Sequence, residues 1–356
     1  MEAVTPHATV LHVVSNPSSL VNENIQYSLR VLTDTFVKTI ICFIGVGTNI
    51  INIIVFTQIG LRDSVTVAFF GLAFADFGFV FFTLIYQVLE SLDLFVGLQP
   101  EISLKHLSYF VNYIAFIFVD ISILITLFTS LQKCACVAIP FLFKKIFTYH
   151  LSKVVVSTMY VIVILYYIPL LVTSVLVPRF DRTTNRTRYM LPSDRLRDRV
   201  LDVFEIVNRV LLPFASIVLL TVSLLIMNRK LVEASRIRQA MTNKTNSAPK
   251  RGNTVHENSY LSSNELKVIK AVVMLSAIFV ACNLPDMVSF LTSLVIPDFG
   301  NSGKFNNSYR LVRAVQNVLA VINSTATIFV YVKYNTKYRA RFLILLARFW
   351  CQADRN

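Results

Sequence analysis

The 356-residue chain is 55% hydrophobic and only 15% charged, with a formal net charge of +14. A soluble domain carries about a quarter charged residues, so this balance excludes a soluble globular enzyme. In a chain built of long apolar runs, the positive charge points to loops beside anionic lipid rather than to nucleic acid.

A bilayer requires roughly 20 apolar residues per helical crossing. Seven such runs are read along the chain, at about 37–57, 64–89, 107–131, 153–177, 203–227, 268–296 and 310–332. A helix satisfies its own backbone in lipid, so each run is expected to be helical. The alternation of a transmembrane barrel is absent, and no internal repeat of the transporter kind stands out. The expected fold is therefore an all-α membrane protein, a seven-transmembrane helix bundle. A short amphipathic eighth helix follows it. The division is an extracellular segment 1–36, a bundle 37–332, and an amphipathic helix with a tail at 333–356. Residues 1–36 lack the apolar core of a signal peptide, so the first span is expected to act as its own insertion signal.

Seven spans put the termini on opposite sides. With the N-terminus outside, 20 of the 34 Lys and Arg fall in the inside segments. The loop 178–209 dilutes this bias with eight arginines, offset by Asp181, Asp194, Asp198, Asp202 and Glu205. Sequons at Asn185 and Asn306 fall in outside loops and support the same orientation. The polar stretch 241–265 is expected to be flexible. None of the five cysteines falls in an outside segment, so no extracellular disulfide is expected. Cys134-Ala-Cys136 is too short a spacing for a zinc knuckle.

Certain residues recur at telling positions inside the spans. The first carries Gly47-Thr48-Asn49 and the second Leu72-Ala73-Phe74-Ala75-Asp76. The third ends in Gln132-Lys133-Cys134, followed by Val137 and Pro140. The fifth has Pro213; the sixth has Phe279 and Cys282-Asn283-Leu284-Pro285. The seventh has Asn323-Ser324 and Thr327-Ile328-Phe329-Val330-Tyr331, then Tyr338-Arg339. In this order and spacing, residues 37 to about 350 resemble rhodopsin-like G-protein-coupled receptors. The wording Gly60-Leu61-Arg62-Asp63-Ser64 and Cys136-Val137-Ala138-Ile139-Pro140 looks like invertebrate sets, molluscan chemosensory receptors and, more distantly, FMRFamide-type peptide receptors.

The chain also departs from that pattern. Gln132-Lys133-Cys134 stands where the family has Asp-Arg-Tyr, and Asn283 where it has Trp. Thr327 and Ile328 replace Asn-Pro, and Ser108 replaces the cysteine at the top of the third span. Lys133 keeps a positive charge but loses the planar fork of arginine, and its neighbour Gln132 is neutral. A weaker inactive-state restraint is expected.

The resemblance implies roles for named residues. Asp76 would face Asn49, Ser122, Asn323 and Ser324 in a polar core, either protonated or holding a sodium ion with Ser122. Ile123, Pro213 and Phe279 would connect the ligand pocket to the cytoplasmic half, with Asn283, Pro285 and Tyr331 in the switching set. Gln132, Lys133, Cys134 and Pro140 would meet a heterotrimeric G protein. The pocket would be lined by Ala115, Val119, Glu205, Arg209, Asp286, Arg313 and Asn317. With Ala115 at the amine-binding position, a monoamine ligand is disfavoured. Asp286 with Arg313 suits a ligand bearing both charge signs, whereas Glu205 and Arg209, four apart, could simply pair with each other. Asp120 lies off the pocket face and is expected to be a buried, hydrogen-bonded group near spans four and five. Residues 335–350 place Tyr338, Phe342, Leu345, Leu346 and Phe349 near one face, as in a helix lying on membrane lipids. Cys351 beyond them is a palmitoylation candidate.

The expected function is a receptor that senses a chemosensory cue or short peptide at the plasma membrane. The alternatives are a non-coupling receptor acting in binding or trafficking, and a seven-span channel or transporter. An intramembrane enzyme is disfavoured, because the five histidines sit at loops or helix ends.

Overall fold

The computed structural model describes residues 22–96, 100–139, 146–182, 185–245, 263–300 and 303–353. Seven helices are long and apolar enough to cross a membrane. These are α1 (Glu23–Ile59), α2 (Ser64–Phe95), α3 (Leu104–Ala138), α4 (Tyr149–Thr173), the Leu212–Glu233 stretch of α5, α6 (Leu266–Val295) and α7 (Asn306–Tyr334). An eighth helix, α8, spans Thr336–Ala353. The fold is the expected seven-span bundle.

Two features lie outside the periodicity of the apolar runs. Helix α1 begins at Glu23, where Asn22 caps it by accepting from the Asn24 amide at 2.9 Å, well before the apolar run at Val37. The segment read as the loop 178–209 instead contains a hairpin and the start of a helix. Strands β1 (Val177–Asp181) and β2 (Arg186–Met190) pair antiparallel, with Val177 opposite Met190 and Asp181 opposite Arg186. Asn185 adopts a positive φ of 53° at the turn, a conformation that asparagine tolerates better than most residues. Helix α5 then starts at Arg195 and passes through a π turn at Val207–Leu211 into Leu212–Thr245. The π turn falls just before Pro213. Proline lacks the N–H that would continue the helical ladder and its ring crowds the preceding turn, so a locally widened turn relieves the conflict.

Helix α3 is central, touching α2, α4, α5 and α6, while α7 closes the ring against α1, α2 and α6. Close approach of α2 and α3 depends on Gly78, where any Cβ would run into the Phe118 ring. The polarity is that of a membrane protein. Asn49, Asn52, Asp76 and Gln132 are buried inside. Val154, Val161, Ile162, Leu165 and Val172 of α4 face outward, as do Phe214, Val218, Val222 and Leu225 of α5. An exposed apolar surface of this extent calls for lipid as its solvent.

Helix α8 folds back onto the end of the bundle where α7 finishes. Tyr338 is fully buried, and Phe342 and Leu345 pack on the same cluster as Phe56, Phe69 and Tyr331. The single apolar face expected here is thereby divided, because Leu346, with Leu343 and Ile344, points away from the bundle. The side chains of Phe349 and Cys351, and most of the stretch 241–265, lie outside what the structure describes.

Candidate functional site

Two cavities are stacked in the bundle interior. The larger, of about 280 Å³, is lined from α1, α2, α3, α4, α5, α6 and α7. Val119, Glu205, Asp286, Arg313 and Asn317, all expected in the pocket, line it. Ala115 does not. It is fully buried with Cys42, Phe79, Val80 and Val321, because its face of α3 turns toward α1, α2 and α7. The side chain of Arg209 lies outside the described ones, so its pairing with Glu205 does too.

Two charges of the pocket are engaged with each other. Arg313 forms an ion pair with Asp286 and a hydrogen bond to Gln316 Oε1 at 3.3 Å. Gln316 in turn donates to the Pro285 carbonyl at 3.0 Å, fastening α7 to α6 at the kink. A ligand of mixed charge would therefore meet a closed pair, not two free ends. Asp120 takes the Tyr167 hydroxyl at 2.7 Å, and Asn208 donates to the same hydroxyl at 2.6 Å. This joins α3, α4 and α5, as expected for a buried, hydrogen-bonded group near spans four and five, but Asp120 also lines the cavity instead of lying off its face, because α3 turns that side inward. Asn283 lines the floor, and its amide donates back to the Phe279 carbonyl of its own helix at 2.8 Å. Lys38, Thr83, Tyr86 and Gln316 also line the cavity, and the motif reading did not include them.

Beneath this pocket, Ile123 and Phe279 meet Ile217 and Leu220 in one apolar cluster. Ile123 also lines the large cavity and Phe279 the smaller one below it, so the cluster separates the two. Pro213 borders the large cavity.

The smaller cavity, about 10 Å³, has Asp76, Ser122, Thr126, Asn323 and Thr327 on its wall. That is near the lower limit for holding one water. Ser122 donates to Asp76 Oδ1 at 2.7 Å, while Asp76 Oδ2 is buried with no hydrogen-bond partner. A buried carboxylate oxygen left bare is costly, so this atom calls for a proton, a water or a small cation. The Ser324 side chain is a second hydrogen-bonding neighbour of the Asp76 carboxyl, and the Ser324 backbone carbonyl joins this core to an adjoining Asn49 network. The Asn49 amide donates to the carbonyls of Gly45 (3.0 Å) and Ser324 (3.1 Å). Asn52 donates to Asn49 Oδ1 at 3.2 Å and to Thr327 Oγ1 at 3.3 Å, and accepts the Tyr338 hydroxyl at 2.6 Å. Asn52 was missed because it lies outside the family motifs, although its place three residues after Asn49 put it on the same helix face. Helix α7 breaks at Ala326 even though no proline follows. The Tyr331 hydroxyl is buried with no hydrogen-bond partner.

At the α8 end of the bundle Gln132 is fully buried and donates to the hydroxyls of Ser64 and Ser152 (the latter at 3.4 Å). This ties α3 to the start of α2 and to α4. Lys133 is nearly buried and Cys134 half-buried beside Ser223 of α5. Pro140 lies outside the described residues.

At the opposite end, backbone hydrogen bonds hold the hairpin to the start of α3. Tyr189 N donates to the Glu101 carbonyl at 2.8 Å, and Ser103 N to the Tyr189 carbonyl at 3.0 Å. Arg188 adds Nε to the Pro100 carbonyl at 3.0 Å and Nη1 to Asp181 at 3.3 Å. Ser108, at the position where the resemblance implies a cysteine, donates to the Lys105 carbonyl and to Glu90.

The described architecture is that of a multi-pass membrane protein with a central cavity above a polar core. No family model matches the chain. It is similar to a probable G-protein coupled receptor of Caenorhabditis elegans, 22% identical over 320 residues, covering 86% of this chain and 68% of that protein. Together with the seven-span fold, this similarity supports a receptor of the G-protein-coupled kind over an enzyme.

Proposed function

We propose that the chain is a rhodopsin-like G-protein-coupled receptor of the plasma membrane, with its N-terminus outside, that senses a chemosensory cue or short peptide. The observation that carries this reading is the vertical order of parts. A ligand-sized cavity lies above the Ile123–Phe279 cluster, and that cluster lies above the Asp76 core. A ligand seated against Val119, Glu205 and the Asp286–Arg313 pair would press on α3, α5 and α6. Packed apolar contacts such as Ile123 on Phe279 shift between discrete arrangements rather than deforming smoothly. Pro285 and the π turn before Pro213 supply the points where α6 and α5 can bend.

In this reading the polar core sets the balance between two helix packings. Asp76 Oδ2, the Ser122 hydroxyl, Asn323 and Thr327 fit one small oxygen-seeking cation such as sodium, whose bound charge would hold α2, α3 and α7 together. The neutral Gln132 clasp to Ser64 and Ser152 replaces an ion-pair lock at the end of α3 where Gln132, Lys133, Cys134 and Pro140 would meet a heterotrimeric G protein. That clasp also favours the second reading, a receptor that binds or traffics without coupling, since it ties α3 to α2 and α4 at the surface that coupling must open.

Expression with a promiscuous G protein tests the choice. Calcium and cAMP are recorded with and without tissue extracts or peptide pools, for the wild type and for Asp76→Asn, with surface expression measured separately. An extract-dependent response altered by Asp76→Asn is expected. Silence at full surface expression would replace coupling by the second reading.

A further inference from the structure

One cation in the large cavity stands apart from the rest. Lys38, midway along α1, is 6% exposed and lines the cavity. Its ammonium lies 5.2 Å from the centroid of the Tyr86 ring. Among the described residues no carboxylate comes within ion-pairing distance of it. Asp34 and Glu90 lie in its field without contacting it; Asp34 accepts from Asn317 at 3.4 Å and Glu90 from Ser108 at 3.3 Å. Arg313, the other cation on the wall, is already paired with Asp286.

A second group beside it is also unsatisfied. Thr83 of α2 is 2% exposed and lines the same cavity, and its hydroxyl has no hydrogen-bond partner. An ammonium and a hydroxyl left bare in a low-dielectric interior are both costly, and a cation–π contact offsets only part of that cost. One oxyanion placed between them would satisfy both at once. The remaining wall is mixed: Phe79, Phe116, Val119, Ile123, Leu170 and Phe204 give it apolar patches, while the carboxylates Asp120, Glu205 and Asp286 also line it, away from an anion's place at Lys38.

We propose that Lys38 and Thr83 form the anion subsite of this cavity, and that the ligand is an apolar body ending in a carboxylate. The carboxylate accepts from the Lys38 ammonium and the Thr83 hydroxyl, against the face of Tyr86. Its apolar body lies toward α3 and α5. This rests on the cavity being the receptor's ligand site, so the test reads binding and not signalling.

The protein is purified in lipid nanodiscs and titrated with 5-phenylpentanoic acid, its methyl ester, and pools of apolar tetrapeptides in acid and amide form. Thermal stabilisation reports apparent affinity. Acids are expected to bind more tightly than the matched ester or amide. Lys38→Met should weaken the acids by roughly 10- to 100-fold, the range of a charge-assisted hydrogen bond, and leave the ester unchanged. Lys38→Arg should restore part of the loss, and Thr83→Val should give a smaller one. Lys38→Met should also melt higher than wild type without ligand, since it removes a buried unpaired charge; a purely structural lysine would make it melt lower. Stabilisation by the phenylalkanoate alone assigns a free acid, and by the acid-form peptides alone a peptide C-terminus. Equal binding of acid and ester, no binding of any acid to folded wild type, or full affinity in Lys38→Met would each overturn the subsite. Lysine-dependent binding with silent G-protein assays would instead overturn the receptor reading and leave the subsite standing.

Discussion

Tyr338 offers a sharp test of how α8 is held. Its hydroxyl donates to Asn52 Oδ1 at 2.6 Å, and its ring is fully buried against Phe56, Tyr331 and Phe342, with centroids 5.1, 5.4 and 6.1 Å away. Burial pushes the phenol up from its ordinary value, so it remains a donor at every accessible pH. Tyr338→Phe keeps the ring and deletes the donor, leaving a buried acceptor unmet, at about 1–3 kcal/mol. Tyr338→Ala also removes the ring from the aromatic cluster, which raises the loss to about 3–5 kcal/mol or more. Reversible unfolding in mixed micelles would be measured for both variants, for Asn52→Ala, and for Tyr338→Phe combined with Asn52→Ala. If the hydroxyl acts through Asn52, the Phe substitution should cost little once Asn52 is gone, giving a coupling of roughly 1–2 kcal/mol. Full additivity, or a Tyr338→Phe variant as stable as wild type, would refute the hydrogen bond as the link between α8 and α1.

Other outcomes follow from the hairpin end of the bundle. Arg188→Ala leaves Asp181 and the Pro100 carbonyl without their charged donor; hydrogen exchange at 177–190 and 101–103 should quicken by about 10- to 100-fold, consistent with 1.5–3 kcal/mol for a hydrogen bond to a charged group. Unchanged exchange would mean that the backbone bonds at Tyr189 suffice alone. Asn185→Gln and Asn306→Gln should each remove one glycan, seen as a gel shift abolished by glycosidase; a wild type that never shifts would argue against placing these loops outside.

Some of the molecule was legible in the residues because the information is local. A helix in lipid must satisfy its own backbone and present apolar side chains, so each crossing declares itself within its own run of residues. The spans 64–89 and 107–131 therefore fall inside α2 and α3 as observed. The hairpin Val177–Asp181 with Arg186–Met190 was not legible, since its strands are short, rich in arginine, and fixed by bonds to Glu101 and Ser103 far away in the chain. The start of α1 at Glu23 was missed for a related reason: an apolar run marks where a helix enters lipid, not where it begins.

The site divides in the same way. The resemblance to rhodopsin-like receptors implied that Asp76 meets Ser122 and that Ile123 joins Phe279, and the packing brings both pairs together. Only the packed bundle decided that Asp286 closes on Arg313, that Ala115 turns away from the cavity, and that Lys38 turns into it. Those outcomes depend on the rotation and depth of each helix against its neighbours, which side-chain packing between distant segments sets and no single run of sequence carries.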